Sequence, residues 1–96
     1  MVNVDLAVFA DALAGEHAAL SARVERLRSR LRQAKIERRA RNDLSAATVD
    51  RLEALRLLRP ADGRAVRAEL RELEESLAAL EELQAWVEEE LRTTAA

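Results

Sequence analysis

The stretch "VRAELRELEESLAALEELQAWVEEEL", residues 66–91, decides the fold. Val66, Leu70, Leu73, Leu77, Leu80, Gln84, Val87 and Leu91 recur at alternating spacings of four and three. That is the repeat of an α-helix packed along a coiled-coil seam. It predicts a helix over about 62–92. Ala79, Leu83 and Trp86 form a second apolar stripe beside the first, so one partner helix cannot cover the whole segment.

Upstream, a second seam runs through Leu6, Ala10, Leu13, His17, Leu20, Val24, Leu27, Leu31 and Ala34. It predicts a helix over about 4–40, with Gly15 allowing a close helix approach or a slight bend. The next seam positions would be Arg38, Arg41, Ser45 and Thr48, and four polar layers cannot continue an apolar stripe. Asn42 can end the helix and Asp43 or Ser45 can cap a new one, so a kink or short loop is expected near 41–44. Leu44, Val49, Leu52, Leu55 and Leu58 then give a second helix over about 44–58. It is closed by "RPADGR", where Pro60 restricts Arg59 and Asp62 with Gly63 supplies turn chemistry.

The composition agrees with this reading. Two Gly, one Pro, two aromatics and 35% charged residues suit long helices rather than a sheet. At 96 residues the chain has room for one domain, spanning 1–96, and for a modest core. The expected fold is all-α: an elongated antiparallel helical hairpin or three-helix bundle with coiled-coil character. The absence of Cys excludes a disulfide framework and thiolate zinc sites, and makes the cytoplasm the default location. Asp5 and Asp11 interrupt the apolar N-terminal stretch, which therefore reads as neither a signal peptide nor a membrane span. Lys35 is the one lysine among sixteen basic residues, which suggests a high-GC bacterial source.

Charge is strongly segregated. Residues 23–41 carry a net charge of +7 and residues 69–90 one of −8, inside a total of −2. Arg23, Arg28, Arg30 and Lys35 flank the first seam, and Glu74, Glu81, Glu88 and Glu90 flank the last. Flanking charges choose coiled-coil partners, so helix 1 against helix 3 is complementary where either helix against itself repels. The pattern reads as charge pairing that sets orientation, because each exposed ion pair contributes about 1 kcal/mol or less. The rival reading takes the arginine-rich 23–41 helix as a nucleic-acid surface; the acidic total and the scarcity of aromatics for base stacking count against it.

No cofactor is implied. His17 is the single histidine and there is no Cys, so no metal site is expected, and neither paired carboxylates nor a nucleophile with its base gives a catalytic set. Arg38 and Arg41 directed into a bundle, with Gln84, resemble small helical chorismate mutases in size and helix content alone, which leaves a small helical enzyme as a distant alternative. Glu25, Ser29 and Arg32 stand at the spacing that opens the nucleotide-binding motif of coiled-coil anti-sigma factors sensing cyclic di-GMP. Where that motif continues with glutamine and aspartate this chain has Ile36 and Ala40, so it is not assigned to that family.

The functional expectation is a non-enzymatic protein-protein interaction module: an adaptor, regulator or assembly subunit. Its interface is expected at Leu6, Phe9, Leu13, His17, Leu20, Leu83 and Trp86, because helix 1 carries its apolar stripe beyond the reach of helix 3. The expected partners are a second copy, in an antiparallel homodimer, and another protein, with no membrane.

Overall fold

The computed structural model describes residues 4–59 and 63–95. Among them it contains three helices and no strand: α1 over Val4–Asp43, α2 over Ala46–Ala54 and α3 over Gly63–Ala95. The fold is all-α, of the helical hairpin and bundle type. The turn expected around Pro60 and Asp62 falls on residues outside those described. No described helix is long and apolar enough to cross a membrane.

Where one domain is expected, the chain groups into two compact units: Met1–Glu25 with Arg71–Ala96, and Arg26–Leu70. The first unit pairs the N-terminal part of α1 with the C-terminal part of α3, and His17 lies opposite Glu81, as an antiparallel pairing requires. Both seams point inward. Leu13, Val24, Leu73 and Val87 are buried, while Leu6, Ala10, His17, Leu20, Leu77, Leu80, Gln84 and Leu91 are half-buried beside them.

The second unit is built differently. Leu58 and Val66 are buried in it, Leu27, Leu31, Ala34 and Leu52 are half-buried, and one buried position belongs to a charged residue, Glu37. The expected seam steps from Ala34 to Arg38, but Arg38 is exposed. The inward positions are Glu37, one residue before the expected Arg38, and, half-buried, Ala40 and the expected Arg41, so the stripe slips at one layer and turns largely polar.

α1 and α2 are separate helices. The chain leaves α1 after Asp43, with the Leu44 N–H still donating to the Ala40 carbonyl at 2.9 Å. Ser45 is extended, at φ −65° and ψ 153°, and its Oγ accepts the Thr48 N–H at 3.3 Å, which satisfies one of the donors that a helix start leaves open. α2 stops sooner than the run of leucines implies. Leu55 closes it, Arg56 takes a left-handed φ of 58°, and the N–H groups of Arg56 and Leu57 donate to the carbonyls of Glu53 and Leu52, each at 2.9 Å. These two bonds are those of a Schellman motif, whose left-handed residue is usually glycine. Leu58 consequently reaches the core from a non-helical segment rather than from a helix face.

Candidate functional site

Two surfaces stand out, one in each unit. In the first unit the N-terminal part of α1 is apolar around much of its circumference. Leu6, Ala10 and Leu13 face inward, whereas Val8 is 63% exposed and Phe9 45% exposed. Val4, one turn before Val8, is exposed as well. A helix that is apolar all round is normally covered all round, and two helices leave one side of each uncovered. On α3, Trp86 is 65% exposed beside half-buried Leu83. A methyl group added at Gly15 would meet nothing within 4 Å, so no close contact inside the chain requires glycine there.

The residues expected at an interface therefore divide. Leu13 is core, Leu6, His17, Leu20 and Leu83 are half-buried, and Phe9 and Trp86 are open to solvent. His17 Nε2 lies 3.8 Å from Glu81 Oε1. No group of three potential metal ligands occurs among the described residues.

The two units differ in the sign of their charge. The first has twelve acidic and three basic residues, a net −9; the second has thirteen basic and six acidic, a net +7. Of the residues expected to pair across the seams, Arg28, Arg30 and Lys35 fall in the second unit, while Arg23, Glu74, Glu81, Glu88 and Glu90 fall in the first. Arg23, Arg28, Arg30 and Glu74 each have a partner within the protein, and Lys35, Glu88 and Glu90 are exposed.

The second unit also holds a cleft of about 590 Å³ between α1 and the segment that follows α2. From α1 it is lined by Arg26, Ser29, Arg30 and Gln33, and from the other wall by Arg56 and Arg59. Leu27, Ala34 and Leu57 supply apolar surface, and Glu37 is the one acidic group among the described residues that line it. Glu37, only 7% exposed, accepts the Arg59 N–H at 3.4 Å through Oε1. The Arg59 carbonyl accepts a hydrogen bond from Arg41 Nη2, and Arg41 Nε lies 3.7 Å from Glu53 Oε1. Glu37 and Arg41 thus hold the Arg59 peptide from both sides and fix that wall against α1. Sequence reasoning missed this arrangement, because Glu37 lies off the heptad and Arg56 occupies a turn position normally signalled by glycine.

No family model, curated protein or solved structure matches the chain.

Proposed function

We propose that the chain is a non-enzymatic helical interaction module, an adaptor, regulator or assembly subunit, that associates with a second copy of itself. The exposure of Val4, Val8, Phe9 and Trp86 in a unit whose seam is already filled carries this reading. Large apolar side chains left over after a core is complete usually mark an interface. Trp86 is the natural anchor, since an aromatic ring brings much apolar area at small entropic cost.

Charge favours one way of docking. Two acidic units repel each other, whereas the acidic unit of one copy complements the basic unit of another. A two-fold arrangement makes that contact twice. The second unit offers apolar surface for it at Ile36, Leu55 and Leu57, all exposed.

Sedimentation equilibrium combined with light scattering tests the reading. A dimer is expected that weakens as salt rises, and Trp86→Ala lowers its association constant tenfold or more, about 1.4 kcal/mol or above. Helicity should be unchanged, because Trp86 lies outside the core. A monomer at high protein concentration, or a dimer indifferent to Trp86→Ala, overturns the proposal.

A further inference from the structure

We infer that the cleft in the second unit binds a small molecule carrying two or more phosphate groups. The inference goes beyond self-association, and of the second unit's residues named for docking it shares Leu57 alone. Among the described residues four arginines line the cleft with one carboxylate, that of Glu37, which already accepts the Arg59 N–H. Arg30 has a partner within the protein, so the load falls on Arg26, Arg56 and Arg59. Among the described residues no acidic side chain lies within ion-pair distance of these three. Guanidinium groups present paired donors that match phosphate oxygens, and the Ser29 hydroxyl and Gln33 amide add neutral donors on the same wall. A surplus of positive charge on the walls of one open cleft selects clustered negative charge, which an oligophosphate offers and a single carboxylate does not.

Three features favour a small ligand over a nucleic-acid strand. The volume of about 590 Å³ falls in the range of small-molecule clefts. Apolar side chains, Leu27, Ala34 and Leu57, line it alongside the arginines and suit a compact body attached to the phosphates. Strand-binding surfaces stack bases on aromatic rings, and the chain's only aromatics, Phe9 and Trp86, both belong to the other unit.

Arg56 adds an independent observation. Its left-handed backbone, at φ 58°, costs a non-glycine residue free energy that glycine would avoid. Folding alone favours glycine at this position, whereas the chain has an arginine there, on the wall of the cleft.

Isothermal titration with inorganic tripolyphosphate and with adenosine triphosphate, at moderate salt, tests the inference. One molecule is expected to bind per chain, and Arg26→Gln and Arg56→Gly each weaken binding tenfold or more. Arg56→Gly keeps the fold, since glycine suits the turn, so its melting temperature should rise while affinity falls. Arg32→Gln, an exposed change on α1 outside the cleft, should leave affinity within about twofold. No heat with either probe overturns the inference. Equal losses in the Arg32 and Arg26 variants would do so too, by showing a diffuse field rather than a site. A single-stranded oligonucleotide that bound much more tightly than both probes, over many nucleotides, would replace the cleft with a strand-binding surface.

Discussion

The two compact units share the same long helices yet are held together by different chemistry. In the first, α1 meets α3 through a regular apolar seam, buried at Leu13, Val24, Leu73 and Val87. In the second, the stripe of α1 slips onto Glu37 and Arg41, and a turn docked by polar contacts covers it. The difference teaches where each unit keeps its stability. The first depends on area removed from water, which tolerates small displacements. The second adds to its own buried Leu58 and Val66 hydrogen bonds with few partners, which do not.

Core truncation is the largest lever on that contrast. Leu13→Ala should cost about 2–5 kcal/mol, and Leu58→Ala, which frees a turn able to readjust, should fall at the lower end of that range. Urea unfolding followed by circular dichroism measures both; a costlier Leu58 substitution would reverse the contrast. Next comes Glu37→Ala, expected to cost roughly 1–3 kcal/mol by leaving the Arg59 N–H and the neighbouring Arg41 poorly matched. Amide exchange should locate that loss at residues 56–59 and spare the first unit. If protection fell evenly across the chain, the two units would be one cooperative body.

Smaller again is Ser45→Ala, which removes the side-chain acceptor of the Thr48 N–H and should lower stability by about 1 kcal/mol, read from the same urea curves. Gly15→Ala has the opposite sign. It should stabilise the isolated chain by about 0.5–1 kcal/mol, because the position is helical and has room for a methyl group. Under the proposed self-association it should also weaken the dimer if that side of α1 is the contact, a pairing of effects that thermal melts and sedimentation separate.

Much of the fold was legible because heptad periodicity survives in a single sequence. All eight seam positions from Val66 to Leu91 are buried or half-buried, and the α1 seam holds from Leu6 to Ala34. Ser45 was recognisable, with Asp43, as one of two candidate caps, because its side chain can accept an N–H that the helix start leaves open. After Ala34 the end of the apolar stripe and the break before α2 were legible, but the inward Glu37 was not, since it breaks the rule that seam positions are apolar and its partner is a backbone group. The end of α2 was hidden for a related reason. Leu55 and Leu58 continue an apolar rhythm past the point where Arg56 turns the chain. Of the surfaces, Trp86 was visible as an apolar residue in need of cover, but the cleft was not. Its walls come from residues 26–37 and 56–59, and no spacing rule joins them.

The division of the chain also orders its assembly. The second unit is a continuous segment, Arg26–Leu70, whereas the first joins two ends that this segment separates. Bringing those ends together across a flexible intervening chain costs roughly 3 kcal/mol of loop entropy, and most of that cost disappears once the middle has folded. On a ribosome the middle is also complete before the last turns of α3 are made. The acidic segments are therefore the last to pair.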